Sequence, residues 1–310
     1  MTLGYDKTLY LMAFDHRGSF EHDLFGAAEP VPPDVRDGII TMKEIIFEAH
    51  QRALAEGVPR EVCGVLVDEE FGTGVARRAK AEHAPLAMPV EKSGQEEFQF
   101  QYGDDFGAHI EAFDPSFAKV LVRYNPDGDA ELNRRQTERL ARLSRWLRER
   151  DRKFLFELLV PATKDQLDRF GGDQRGYDRE LRPDLVVATI AALQAGGVEP
   201  DIWKIEGLDT TAACEQVVAQ ARLDGRDDVR CIVLGRGADE KQVLEWVKIG
   251  AQVDGFDGFA VGRTLWEEAL RKYKAGQLSR EEAVYEISSR YRDVIDAYRR
   301  AEPAAERGRE

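Results

Sequence analysis

Eight short apolar runs rich in β-forming residues recur along the chain, at 9–14, 62–67, 86–90, 118–124, 154–159, 202–205, 231–234 and 259–261. Longer stretches of helical period separate them, many with recognisable ends. Asp34 precedes a helix through Ile39, Ile40, Ile46 and Leu54 that stops at Gly57, and Asp129 opens one carrying Leu132, Leu140, Leu143 and Leu147. Pro183 sits near the start of another that ends at Gly196 and Gly197, and Asp239 caps one bearing Val243, Trp246 and Val247. Ser279 and Glu282 form a capping box before a final helix to about Arg300.

Strands alternating with helices require right-handed βαβ crossovers and a parallel sheet. Eight such units predict an α/β fold closed as a single (β/α)8 TIM barrel over residues 1–301, with an extra C-terminal helix and a frayed polar tail at 302–310. An open doubly wound sheet is the alternative. No linker or composition break suggests a second domain.

Side chains on a strand alternate in direction, so parity tells which share a face. Leu11, Ala13 and Asp15 share one, as do Gly64, Leu66 and Asp68. The same holds for Lys119, Leu121 and Arg123, for Leu155, Glu157 and Leu159, and for Ile202, Lys204 and Glu206. Five strands thus carry charges toward their C-terminal ends, where barrels place their active sites. Most charges at strand ends are solvated rim. Lys204 differs because it lies within its strand, between Trp203 and Ile205. An inward ammonium loses several kcal/mol of hydration unless paired, which favours the neutral amine, a nucleophile toward carbonyls. A purely structural ion pair of Lys204 with Glu157 or Asp15 is the competing reading.

The last two strands run into Gly235-Arg236-Gly237-Ala238 and Gly262-Arg263-Thr264, each before a helix. Glycines there let backbone N–H groups approach an anion, and barrels often hold phosphate at these two loops. No cofactor is expected, and metal chemistry is disfavoured. Of the histidines His16, His22, His50, His83 and His109, only His16 falls at a strand end, and none forms an H-x-x-x-H pair.

A formal charge of −14 argues against a nucleic-acid partner, and no run reaches the ~18 apolar residues of a membrane span. Cys63, Cys214 and Cys231 lack metal or redox spacing and read as buried thiols. With no apolar leader visible, a cytoplasmic location is expected. Tyr and Trp on the outer helices serve either a homo-oligomer interface or the core.

The run Ala13-Phe14-Asp15-His16-Arg17-Gly18-Ser19-Phe20 resembles the opening of bacterial barrel aldolases of the tagatose-bisphosphate type. It is closer still to the aldolase domain fused to 5-dehydro-2-deoxygluconokinase in inositol catabolism. Leu66-Val67-Asp68-Glu69-Glu70-Phe71-Gly72 is similar to the family's second-strand signature, and Glu91-Lys92-Ser93-Gly94 to its third. Val122-Arg123-Tyr124-Asn125-Pro126-Asp127 and Trp203-Lys204-Ile205-Glu206-Gly207 resemble the fourth and sixth.

The resemblance implies Lys204 as Schiff-base lysine, Glu157 as acid/base and Asp15 as a partner for substrate hydroxyls. The implied substrate is a phosphorylated keto-sugar acid, 2-deoxy-5-keto-gluconate 6-phosphate. Gly235, Arg236, Gly237, Gly262 and Arg263 would hold its phosphate; Arg123, Arg17 or Lys92 would hold its carboxylate, with Asp68 a further substrate-binding candidate. A lysine is expected near the end of strand four, where this chain has Arg123. That residue then binds a carboxylate, or favours the neutral form of Lys204 by like-charge proximity. Tagatose-bisphosphate and sulfo-sugar-phosphate cleavage are the rival activities, and a non-catalytic sugar-phosphate binder the rival class.

Overall fold

The computed structural model describes residues 3–27 and 30–303. All eight expected strands form and pair in parallel, in sequence order, until β8 closes on β1. In order the elements are β1 (Leu9–Ala13), α1 (Pro33–Ala55), β2 (Cys63–Leu66), α2 (Glu69–Ala81), β3 (Leu86–Pro89), α3 (Phe106–Phe113), β4 (Phe117–Arg123) and α4 (Ala130–Glu149). There follow β5 (Lys153–Leu159), α5 (Lys164–Arg169), α6 (Gln174–Glu180), α7 (Arg182–Ala195), β6 (Ile202–Glu206) and α8 (Thr211–Ala221). The chain ends with β7 (Arg230–Leu234), α9 (Glu240–Gly250), β8 (Phe256–Val261), α10 (Arg263–Lys274) and α11 (Arg280–Ala301). This is the (β/α)8 barrel, and closure excludes the open sheet.

Two cores result from the alternation of strand side chains. Leu9, Leu11, Ala13, Leu66, Ala87, Phe117, Leu155, Ile202, Ile232 and Ala260 fill the barrel interior. The opposite parity, including Tyr10, Met12, Val65, Phe156, Trp203 and Phe259, packs under the helices. Closure needs Gly258, whose φ is +128° and whose added Cβ would lie 2.0 Å from the Leu9 carbonyl oxygen.

Asp129 and Asp239 cap α4 and α9 as their positions suggest, and the Ser279–Glu282 capping box is present. α1 differs: Pro33, not a residue after Asp34, begins it. Proline suits the first helical position because its φ is already helical and it has no N–H to leave unpaired. Unforeseen elements are a π-helix at Ser19–Leu24, two short helices after β5, and an excursion between β3 and α3. That excursion is fastened by an antiparallel Glu91–Phe100 bridge and by Arg135 and Arg139, which bond Glu97. Of the expected 302–310 tail, residues 304–310 lie outside the described residues. Among the described residues, no helix is long and apolar enough to cross a membrane.

Candidate active site

A cavity of about 440 Å³ opens at the C-terminal ends of the strands. Above the apolar interior layer, the next inward positions are charged. Lys204 on β6 and Glu157 on β5 are register partners, and the Lys204 Nζ lies 3.0 Å from Glu157 Oε2. Both are buried, at 2% and 6% exposure. Asp15, two residues beyond β1, completes the expected trio at 8% exposure.

What joins them is Lys119, inward on β4 and 1% exposed. Its Nζ donates to Asp15 Oδ2 at 2.8 Å and to Glu91 Oε1 at 2.7 Å, and lies 2.9 Å from Glu157 Oε2. Strand four therefore supplies a lysine to the cluster as well as Arg123 at its end, four residues further on. Burial alone would depress the Lys119 pKa, but Asp15, Glu157 and Glu91 outweigh it and hold the pKa well above the usual lysine value. The same cation offsets burial at Asp15 and Glu157, which, with help from Lys204, end below the usual carboxylate range. At Glu91 burial wins over Lys119 and Arg17 and the pKa rises; its Oε2 has no hydrogen-bond partner among the described residues. Burial likewise outweighs the pull of Asp15 on His16 and takes its imidazole well below its usual value, so the ring is neutral at pH 7.

The other candidates distribute around the rim. Arg17 lines the cavity and its NH2 donates to the Glu91 carbonyl at 2.9 Å. Arg123 donates to the Gln95 carbonyl at 2.9 Å, and Lys92 is exposed at the mouth. Across the cavity, Gly235, Arg236, Gly237, Gly262 and Arg263 line the β7 and β8 side. Arg236 is engaged, its Nε 2.8 Å from Glu206 Oε1 and its NH1 2.7 Å from Asp178 Oδ2. The Arg263 guanidinium lies against Gly237, where an added Cβ would come within 2.3 Å of its NH2. Gly262 is equally confined, since a Cβ there would lie 2.6 Å from the Ala13 carbonyl oxygen.

Asp68 is a correction. It is fully buried, is absent from the cavity wall, caps α2 through the Phe71 N–H at 2.8 Å, and pairs with Lys43. Strand parity ceases to apply once the chain turns into a helix, and the N-cap role turns its carboxylate toward the helix. Sequence reasoning overlooked Lys119 and Glu91, although the first shares the inward parity and the second stands beside Lys92. Among the described residues, no group of three or more His, Cys, Asp or Glu side chains is placed to hold a metal ion.

Fold and site together define a (β/α)8 barrel with a buried lysine–carboxylate cluster at its C-terminal mouth. The chain belongs to the family described as "Uncharacterized protein conserved in bacteria (DUF2090)", whose model matches residues 4–302. It is 22% identical over 295 residues to tagatose 1,6-diphosphate aldolase 1 of Streptococcus pyogenes serotype M3 (strain SSI-1), covering 88% of each chain. Its fold is similar to that of a Schiff-base-forming fructose-1,6-bisphosphate aldolase, with a TM-score of 0.56 at 17% identity over 93% of this chain and 94% of that one. A Corynebacterium glutamicum protein gives a TM-score of 0.58 at 17% identity, over 94% of this chain and 88% of that one.

Proposed function

We propose that the protein is a class I aldolase that cleaves a phosphorylated keto-sugar through an imine on Lys204. One observation carries the reading: two lysines are buried at the base of the cavity, and they are not equivalent. Lys119 is ringed by Asp15, Glu91 and Glu157 and stays a fixed cation. Among the described residues Lys204 is ion-paired with Glu157 alone, which makes it the one able to pass a proton to that carboxylate and offer a free amine.

The amine adds to the substrate ketone, and Glu157 returns the proton as water leaves, giving a protonated imine and a free Glu157 carboxylate. Glu157, 3.0 Å from Lys204, takes the proton from the hydroxyl beta to the former ketone. The carbon–carbon bond breaks, its electron pair moves into the imine to form an enamine, and the aldehyde departs. Protonation of the enamine carbon and hydrolysis then release the ketone fragment and restore Lys204. Asp15 bonds substrate hydroxyls, while Lys119 offsets the carboxylate charge.

Phosphate would sit at the β7 and β8 loops, on Arg263 and the backbone of Gly235, Gly237 and Gly262. Arg236, already paired with two carboxylates, would support that loop. Arg17, Lys92 and Arg123 form a second cationic end, which fits the carboxylate of 2-deoxy-5-keto-gluconate 6-phosphate. The products would be malonate semialdehyde and dihydroxyacetone phosphate. A ketose bisphosphate such as tagatose 1,6-bisphosphate is the second reading. It is favoured by the lysine on strand four and by the named activity of the Streptococcus pyogenes relatives.

Incubation with dihydroxyacetone phosphate and borohydride is expected to leave a reduced adduct on Lys204, located by mass spectrometry, and none in K204M. Absence of the adduct from the parent protein rejects the imine mechanism. Relative kcat/KM on the sugar-acid phosphate and the ketose bisphosphate then chooses between the two substrates.

A further inference from the structure

Lys43 on α1 is fully buried and takes no part in the chemistry above, yet its ammonium is heavily engaged. It donates to the Phe14 carbonyl at 2.7 Å, to the His16 carbonyl at 3.0 Å and to the Asp68 carboxylate. Those bonds use all of its three protons. The ring of Phe20 lies 4.8 Å away and that of Phe71 6.0 Å away. Burial pushes the Lys43 pKa down against the pull of Asp68. An ion pair so fully desolvated is a poor source of stability, since apolar side chains of similar volume often serve as well. Its placement is more telling than its energy.

The two carbonyls it grips flank Asp15 in sequence. β1 has ended at Ala13, and the last ladder bond, Phe14 N–H to the Leu66 carbonyl at 2.8 Å, precedes Asp15. Beyond it the backbone that carries Asp15 has left the sheet.

We infer that Lys43 is a positioning residue: by holding the carbonyls on both sides of Asp15 it aims that carboxylate at Lys119, and through Lys119 it keeps Glu157 beside Lys204. The contacts in series are Lys43 to the residue 14 and 16 carbonyls, then Asp15 to Lys119 at 2.8 Å, Lys119 to Glu157 at 2.9 Å and Glu157 to Lys204 at 3.0 Å. Asp68 takes the third proton of the ammonium and so ties it to the start of α2, which the same carboxylate caps. The catalytic part of the inference rests on the aldolase reading; the aim of Asp15 does not.

The test uses K43M/D68N, which removes both charges, fills the lysine stem with apolar atoms and keeps an acceptor for the Phe71 N–H. K43M alone would strand the Asp68 charge. The first readout is the carboxyl carbon-13 signal of Asp15, assigned with D15N. Lys119 from β4, Lys204 from β6 and neighbouring His16 face Asp15 and outweigh burial. Glu157 from β5 and Glu91 from β3 share the Lys119 ammonium with it.

The parent Asp15 should therefore stay ionised through the acid range in which the protein is folded. In K43M/D68N it should titrate in the ordinary carboxylate range. The second readout is the single-turnover rate of trapped adduct with dihydroxyacetone phosphate. It should fall roughly 10- to 100-fold, the penalty of an ångström-scale misplacement, with half-saturation unchanged within about twofold.

A folded variant with the parent's Asp15 titration and trapping rate overturns the inference, even if it melts at lower temperature. If K43M/D68N does not fold, K43Q/D68N, able to hold one carbonyl but not both, is read by the same criteria. If the parent itself gives no adduct, the aldolase reading falls, and the Asp15 titration alone upholds or overturns the role of Lys43.

Discussion

Lys119 compensates three carboxylates at once, so its loss should be felt first in stability. K119M leaves Asp15, Glu91 and Glu157 together without their shared cation. Removing one partner of a buried pair typically destabilises by about 3–5 kcal/mol. Urea unfolding should show a loss of that order, partly recovered in K119M/E91Q, and a loss below about 1 kcal/mol would contradict the arrangement. Lys204, Glu157 and Asp15 were legible in the sequence because strand parity is geometry, independent of any known relative. Lys119 lies on the same parity, but it stands mid-strand among apolar neighbours, whereas Arg123 stands at the strand end, where sequence alone places function. Lys92 was chosen over Glu91 for its charge, although Glu91 is the buried one and Lys92 faces solvent. Asp15 and Asp68 both lie two residues beyond their strands; the parity carries on at Asp15, which lines the cavity, whereas the capping of α2 redirects Asp68.

Among the elements, α11 has the most to do outside the barrel repeat. It packs across α1, α9 and α10, and two of its tyrosines reach the strands, Tyr291 donating to the Tyr10 carbonyl at 2.8 Å and Tyr298 to the Phe256 carbonyl at 2.6 Å. Its start was readable from Ser279 and Glu282, whose side chains bond each other's backbone N–H groups. S279A should lower stability by about 1 kcal/mol, and Y291F by about 1–2 kcal/mol because it leaves a buried carbonyl short of a partner. Denaturant midpoints at constant m-value would measure both. The β3–α3 excursion was not readable, since its shape depends on contacts about forty residues away, such as Glu97 with Arg135 and Arg139.

For the whole molecule, alternation of strand and helix makes the closed barrel legible, while pH dependence follows from which side chains the fold buries. His50 is 1% exposed, stacked on Phe47 beneath α11, and burial pushes its pKa down to about 4. In the unfolded chain it protonates near 6.5. The unfolded state therefore takes up a proton that the native state refuses. The stability contribution is complete above pH 6.5 and is lost as pH falls toward 4, by on the order of 3 kcal/mol. Asp15 and Glu157, depressed in the fold, remove further stability as pH falls below the ordinary carboxylate range. The raised pKa of Lys119 acts at the other end, its contribution being lost as pH rises through the folded value. H50F should flatten the decline between pH 6.5 and 4 in denaturation midpoints, and an unchanged slope would contradict the assignment.

The charged cluster is assembled from both halves of the chain, since Lys119 pairs with Asp15 and Glu91 from its own half and with Glu157 from the other. Strands β1 to β4 bring Asp15, Glu91 and Lys119, an excess of negative charge; β5 and β6 bring Glu157 and Lys204. A half-barrel folded alone would bury its acids without the second lysine, and would leave the first lysine without its full set of partners. The order of assembly is thereby constrained. Hydrophobic layers can form locally between neighbouring strands, but the charged layer can desolvate only as the ring closes, which makes the pocket a late product of folding.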